Sequence, residues 1–402
     1  MAECTSIADW TSAIKIAYVS PFPPTRHGIG TYTRYLQRAL SEIDPENEFL
    51  VAADSWARRT TTATLSVVPC FALAETLEEG QEAEYAEGVV RAVSDFAPAV
   101  VHVQQGASVF YPDDRFLGLL EGLRQQAKLI VTLHAVYTGL TTVWQGPANG
   151  FDEWNRRLGS VADAIVVHQP SMKEALIEQG VSARCVFVIP HGTEILRQVD
   201  STEARRSLGL PEDGRIILSF GFFKENKALL VAALPYVLKE VSDAFLFFSG
   251  YAREWVPEDA EQRRDCEAKS VELGVRDHVI FATRFIPDTE VDVAFGAADV
   301  VVFPCFHEEP SASGSLHLAL GAFKPVVVSR TPKFEEVWTE ISDEVAFGAN
   351  SPQELARVLV RVLRDDDFRQ SIVARVERYA LRTSWDVVAQ EHLRLYDGLL
   401  LN

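Results

Sequence analysis

His307-Glu-Glu-Pro-Ser-Ala-Ser-Gly-Ser-Leu-His-Leu-Ala-Leu-Gly-Ala-Phe-Lys-Pro325 runs directly into Val326-Val-Val328 and follows Asp299-Val-Val-Val-Phe-Pro304. The valine-rich run before it reads as a short buried strand. A loop of small polar residues, a helix and a second apolar strand come next, which is one turn of a parallel α/β sheet. Ser313, Gly314, Ser315 and Leu316 stand where the helix would begin. Unpaired backbone N–H groups and the positive end of the helix dipole then face the loop, and such an end binds phosphate or another oxyanion. The adjacent carboxylates Glu308 and Glu309 would oppose a bare phosphate but suit one that carries a sugar.

The same alternation extends along the whole chain. Apolar runs at 15–20, 48–54, 65–69, 99–104, 129–134, 164–168 and 186–190 read as strands of a first sheet, and those at 215–220, 244–249, 278–282, 299–304 and 325–329 as strands of a second. Longer helical patterns lie between them, so two doubly wound parallel sheets are expected. A chain of 402 residues exceeds the size at which one core keeps growing. Thr193–Gly214, polar and carrying Gly209, Pro211 and Gly214, reads as the linker. The expected domains are 1–195, joined by a closing helix at 384–402, and 196–383. Trp385, Val388, Leu393, Tyr396 and Leu400 form the apolar face of that helix. On sheets of this kind ligands sit beyond the carboxyl ends of the strands.

Composition excludes several partners. The formal net charge is −19 and both halves are acidic, which argues against nucleic acid. No Lys/Arg cluster suits an anionic lipid surface, and no apolar run reaches the ~18 residues of a membrane span. Five cysteines, without any C-x-x-C, fit reduced thiols in a cytoplasm. Glu3 and Asp9 interrupt the amino-terminal segment, so no signal peptide is expected. No H-x-H, H-E-x-x-H or D-x-D stands in a plausible position, so no metal is indicated.

The first strand ends in Ser20-Pro-Phe-Pro-Pro-Thr-Arg-His-Gly-Ile-Gly-Thr-Tyr-Thr33, after which a helix is expected to about Leu40. Gly28 and Gly30 would let backbone approach a ligand closely. A dinucleotide reading would pair them with Asp54 at the end of the next strand. Two prolines before the glycines and Thr33 at the third-glycine position weigh against it. A loop bordering a ligand and a plain structural turn are the other readings.

Lys15-Ile-Ala-Tyr-Val-Ser-Pro-Phe-Pro-Pro24 with Gly28-Ile-Gly-Thr-Tyr32 resembles the opening of retaining glycosyltransferases of the GT-B fold, family-four type. Val131-Thr-Leu-His134, Val188-Ile-Pro-His-Gly-Thr193, Phe220-Gly-Phe-Phe-Lys-Glu-Asn-Lys227, Ala298–Pro304 and Gly321-Ala-Phe-Lys-Pro-Val-Val327 follow in the family's order. The resemblance covers nearly the whole chain. It implies two Rossmann-like domains facing a cleft, with a C-terminal helix crossing back to the first.

It also implies roles. Lys227 matches the family's phosphate-contacting lysine, and a lysine there neutralises a diphosphate without a metal. The alternative is a solvated first-turn residue. His134 matches the active-site histidine near the transferred sugar, where it would donate to a sugar hydroxyl or phosphoryl oxygen. His191 reads as structural. The arginine expected after Gly221 is replaced by Phe222, with Lys224 as its substitute. The family's pair of glutamates eight residues apart would fall at 310 and 318, where this chain has Pro310 and Leu318. Glu309 lies one place early and His317 stands eight residues beyond it. The catalytic set is therefore His134, Glu309 and Lys227. The donor set is Gly28, Gly30, Phe222, Lys224, Lys227, Glu308, Glu309, Ser313, Gly314, Ser315 and Leu316.

The function implied is a cytoplasmic, metal-independent hexosyltransferase that needs no cofactor. It would move a sugar from a UDP- or GDP-sugar to a soluble small-molecule or glycan acceptor with retention. Alternatives are an epimerase, hydrolase or pseudo-glycosyltransferase on the same fold, or a non-catalytic nucleotide-sugar binding protein. Trp56, Tyr111, Tyr137 and Trp144 are candidate stacking residues for an acceptor ring.

Overall fold

The computed structural model describes residues 13–77, 86–138, 150–223, 226–250, 252, 256–282, 286–306, 308–348 and 350–401. Lys224, Trp144 and His307 lie outside the described residues.

Fourteen strands are described: β1 (Lys15–Val19), β2 (Glu48–Asp54), β3 (Thr60–Thr61), β4 (Leu65–Phe71), β5 (Val100–Gln105), β6 (Lys128–Leu133), β7 (Ala164–Val167), β8 (Val186–Val188), β9 (Arg215–Phe220), β10 (Ala244–Ser249), β11 (Val279–Phe281), β12 (Val300–Phe303), β13 (Val326–Ser329) and β14 (Ala346–Phe347). The helices among them are α1 (Gly28–Ile43), α2 (Ala86–Phe96), α3 (Asp114–Arg124), α4 (Phe151–Val161), α5 (Pro170–Glu178), α6 (Ser201–Leu208), α7 (Ala228–Leu238), α8 (Pro257–Glu272), α9 (Val291–Gly296), α10 (Gly314–Gly321), α11 (Pro352–Arg364), α12 (Asp366–Arg382) and α13 (Trp385–Leu400).

The strands form two sheets, in the orders β3-β4-β2-β1-β5-β6-β7-β8 and β11-β10-β9-β12-β13-β14. Only the two-residue β3 pairs antiparallel among the registered pairs; the others run parallel. Two parallel Rossmann-like sheets are therefore present, as the sequence implies. The continuous apolar strands follow from this arrangement, because helices cover both faces of a parallel sheet. Ile16–Val19 and Val300–Val302 are almost wholly buried.

Among the parallel strands of each sheet the order reverses once, between β1 and β5 and between β9 and β12. Open sheets of this kind take ligands beyond the carboxyl ends of the strands at that point. In the second sheet, β9 leads into Gly221 and β12 leads towards α10, so the topology brings those two connections together.

The chain divides into two compact units. Met1–Leu133, Arg156–Val166 and Ala389–Asn402 make up one; His134–Asn155 and Val167–Val388 make up the other. Within the first unit, α13 is tied down at its carboxyl half. His102, fully buried, places Nδ1 at 2.7 Å from Tyr396 Oη and Nε2 at 2.6 Å from Thr132 Oγ1. Trp385, Val388, Leu393 and Tyr396 of α13 are buried as expected, but Leu400 is 41 % exposed, because it lies in the last turn, beyond the packed part of the helix. The polar stretch read as a linker is not plain coil. It contains α6, capped by Asp200 at its start and closed by Gly209 at φ +67, the left-handed conformation that glycine adopts without strain.

Candidate active site

The site is built where the second sheet reverses. Ser313 caps α10, its hydroxyl accepting from Leu316 N at 3.3 Å. That bond uses the Leu316 amide, and the Leu316 side chain is fully buried in the core. Gly314 is exposed and Ser315 half-buried, so the first turn of α10 is open at Gly314.

Opposite Ser315, β9 ends in Gly221 at φ +97, and a β-carbon there would stand 3.1 Å from Ser315 Oγ. A β-carbon on Gly250, at the end of β10, would overlap Gly221 O. Two adjacent strand ends thus carry glycines because their backbones pass in direct contact beside α10. Phe222 follows Gly221 and is half-buried.

Lys227 precedes α7 and is 4 % exposed. Its ammonium lies 3.4 Å from Gly221 O, to which it donates, and 5.2 Å from the centre of the Phe223 ring. A solvated first-turn lysine is therefore not what the chain contains. Burying an ammonium is costly unless something offsets it, and here the charge is held at the turn that touches Ser315.

The loop before α10 is fixed by backbone pairing. Ala135 and Ser311 form an antiparallel bridge, Val136 N donates to Pro310 O at 2.9 Å, and Ala312 N donates to His134 O at 3.1 Å. His134 is thereby held beside the loop that carries Glu308 (exposed) and Glu309 (half-buried).

Its tautomer follows from its neighbours. His168 Nδ1 lies 3.1 Å from Ile189 O, a pure acceptor, so Nδ1 carries the proton and Nε2 of neutral His168 accepts. His134 Nδ1, 3.3 Å from that Nε2, must then donate. Neutral His134 consequently presents Nε2 as an acceptor. The sequence reading had it donating; in this network it donates outward only after gaining a second proton.

Leu318, where the resemblance implies a carboxylate, packs partly buried against the core of this unit. His317 turns fully inward. Its Nδ1 lies 2.7 Å from Thr193 Oγ1 and its Nε2 3.3 Å from Glu336 Oε1, close enough for an ion pair but poorly aligned for a hydrogen bond. Glu336 Oε2 in turn accepts from Gln169 Nε2 at 3.0 Å. His191 stacks on His317, with ring centres 4.6 Å apart and planes at 25°. Nothing local in the sequence marks Glu336 or Gln169; they reach this place through β7 and β13. Among the described residues no group of three or more His, Cys, Asp or Glu side chains is arranged to hold a metal ion.

Gly28 and Gly30 belong to the other unit and lie in the first turn of α1, where the sequence suggested a loop. A β-carbon on Gly30 would stand 3.1 Å from the Pro21 carbonyl, whereas one on Gly28 would meet nothing within 4 Å. Asp54 is fully buried and accepts from Phe22 N (3.1 Å), Thr25 Oγ1 (2.8 Å) and Trp56 N (3.0 Å). Its carboxylate is occupied in holding the loop, so the dinucleotide reading loses its ribose ligand.

Residues 200–378 match the family profile described as Glycosyl transferases group 1, and residues 27–192 that of the Glycosyl transferase 4-like domain. The two matches together span most of the chain, which belongs to the GT-B glycosyltransferases of the family-four type. An uncharacterised glycosyltransferase of Methanocaldococcus jannaschii is 30 % identical over 195 residues, covering 48 % of this chain and 47 % of that protein. The chain thus spans about half the length of such curated relatives. The phosphatidyl-myo-inositol mannosyltransferase of Mycolicibacterium smegmatis is 26 % identical over 303 residues, covering 74 % of this chain and 70 % of that one. The structure of Anabaena HepE in complex with UDP-glucose superposes with a TM-score of 0.69 at 15 % identity, over 96 % of this chain and 100 % of that one. At that identity the likeness is one of fold.

Proposed function

We propose that this protein is a glycosyltransferase that moves a hexosyl group from a UDP- or GDP-sugar to a soluble small-molecule or glycan acceptor with retention of configuration. It needs neither metal nor cofactor and works in the cytoplasm. The observation that carries the reading is the buried Lys227 ammonium, held against the Gly221 turn that touches Ser315 at the open start of α10. That geometry suits a diphosphate. The donor belongs to residues 196–383, and the acceptor to residues 1–195 with 384–402. UDP-glucose in the HepE structure and the mannosyl group in the name of the mycobacterial relative support a nucleotide-linked hexose as donor. No described helix is long and apolar enough to cross a membrane.

In the reaction the C1–O bond loosens towards an oxocarbenium-like state while charge builds on the departing diphosphate. Lys227 and the first amides of α10 stabilise that charge, and being preorganised they act without reorientation. The acceptor attacks from the leaving-group face, and the departing phosphate takes up its proton. Glu309 orients sugar hydroxyls, and neutral His134 accepts from one of them.

The test is a donor panel of UDP-, GDP- and ADP-hexoses, incubated with EDTA and a mixture of polyols and glycans. One donor should be consumed and a new glycoside formed with its anomeric configuration kept. Free sugar or an epimer without any acceptor would replace this reading with a hydrolase or epimerase. Activity abolished by EDTA and restored by Mn²⁺ would overturn metal independence. Binding without turnover would leave a nucleotide-sugar binding protein.

A further inference from the structure

His191 follows β8, two residues before the polar segment that leads to α6. The sequence pattern suggests nothing beyond a histidine in a turn, yet its surroundings are unusually closed. It is 8 % exposed. Gly192, the next residue, admits no side chain because a β-carbon there would overlap the Trp385 indole. The Trp385 ring lies 5.9 Å from that of His191, His168 meets it edge-on at 5.4 Å, and His317 stacks on it at 4.6 Å. The ring is therefore gripped from three sides.

Its two nitrogens face different surroundings. Nδ1 lies 2.8 Å from Gly192 O, a pure acceptor, so Nδ1 carries the proton of the neutral ring and Nε2 keeps a lone pair. Nε2 points towards the start of α10, where a β-carbon on the exposed Gly314 would stand 3.7 Å from it. That nitrogen therefore lies beside the open first turn of α10.

We propose, on the donor reading above, that His191 is a further donor-site residue. Its Nε2 takes a proton from solvent when the diphosphate settles at the first turn of α10, and the imidazolium shares the phosphate charge with Lys227. One N–H bond forms, the proton comes from water or buffer, and no bond of the donor changes in this step.

The groups facing His191 explain why the proton waits for the ligand. From the strand ends come His134 and His168; from α10 comes His317, with Glu336 behind it; α12 brings Tyr379, whose ring centre is 6.4 Å from that of His317. Burial, then the neighbouring His317, and more weakly His134, hold the imidazole pKa well below 6.5, while the bond to Gly192 O works the other way. The positive end of α10 disfavours a second positive charge in the same way. An arriving dianion reverses that balance, because an opposite charge within a few ångströms favours the protonated form.

Calorimetry decides the matter. UDP-glucose, or whichever of GDP-mannose and ADP-glucose binds, is titrated into the full chain at pH 7 in two buffers of different ionisation enthalpy. The diphosphate of these diesters does not itself titrate near neutrality, so proton exchange reports the protein. Binding should be accompanied by uptake of close to one proton, roughly the full protonation of a single imidazole. His191→Gln should bind roughly tenfold more weakly, the loss of one charge-assisted contact, and without uptake. Binding by the unmodified chain without proton uptake would overturn the inference and leave the donor reading intact. Uptake that persisted in His191→Gln would also overturn it. Failure of every nucleotide-sugar to bind would overturn the donor reading and this inference together.

Discussion

Two helices in this protein begin the same way on paper. Both α1 and α10 follow a buried parallel strand and a loop, and both open with glycine: Gly28-Ile-Gly30 and Gly314 between two serines. Both amino termini are capped by the preceding side chain, His27 accepting from Ile29 N at 3.1 Å and Ser313 from Leu316 N. They differ in what is buried beside them. Under the loop leading into α1 sits the Asp54 carboxylate, bound to Phe22 N, Thr25 Oγ1 and Trp56 N. Beside α10 sits the Lys227 ammonium, with His191 aimed at Gly314. Equal helix dipoles therefore work in opposite electrostatic settings. An anion approaching α1 meets a buried negative charge, whereas one approaching α10 meets a buried positive charge. The local motif offers a terminus; the neighbouring charge decides what it can bind.

The largest effect should come from removing that positive charge. Lys227→Ala should lower kcat/KM by roughly 10²–10³ for every donor accepted, as expected for a lost preorganised charge stabiliser. Glu309→Gln should show a loss that varies with the donor sugar, because the carboxylate would touch hydroxyls and not phosphate. Steady-state rates over a donor panel separate the two patterns. Near-full activity of Lys227→Ala would erase the contrast between the two termini.

At α1 the matching substitution should act on stability. Asp54→Ala strips the acceptor from two backbone amides and one hydroxyl, and should cost about 2–4 kcal/mol of unfolding free energy, since each buried donor left unpaired costs about 1–3. Urea titration reads this directly. A neutral result would mean that the carboxylate does not hold the loop.

An effect of middle size concerns pH. In the folded chain burial holds the His191 imidazole pKa well below 6.5, its ordinary value and the one it regains in the unfolded chain. Below that pH the unfolded state binds the extra proton, so the contribution of His191 to stability is complete above about 6.5 and declines as the pH falls, by at most about 1.4 kcal/mol per unit. Unfolding midpoints between pH 7 and 5 should fall less steeply for His191→Gln than for the unmodified chain. Equal slopes would contradict a buried neutral imidazole.

The smallest effects separate the two glycines of α1. Gly30→Ala places a methyl 3.1 Å from the Pro21 carbonyl and should cost about 1 kcal/mol, a typical value for mild overpacking. Gly28→Ala meets nothing within 4 Å and should change stability by less than about 0.5 kcal/mol. If both were neutral in activity and stability, the second glycine would have no packing reason.

The strand–helix alternation was legible because a parallel sheet covered on both faces needs continuous apolar strands, and that need is written locally. All twelve apolar runs, from Lys15 to Ser329, correspond to strands of the two sheets. The two-residue strands β3 and β14 were not legible, since pieces so short carry no periodicity and exist only through their neighbours. The candidate site divides along the same line. The start of α10 follows from residue type and spacing, whereas Lys227 after its Gly221 turn and the order of motifs follow from the resemblance to the family. Whether Lys227 is solvated or buried, which way His134 carries its proton, that Asp54 serves a loop and not a ribose, and that Glu336 and Gln169 lie behind His317 are decided by contacts between residues far apart in the chain. Hydrogen-bond partners and burial set protonation and charge, and only the folded chain supplies both.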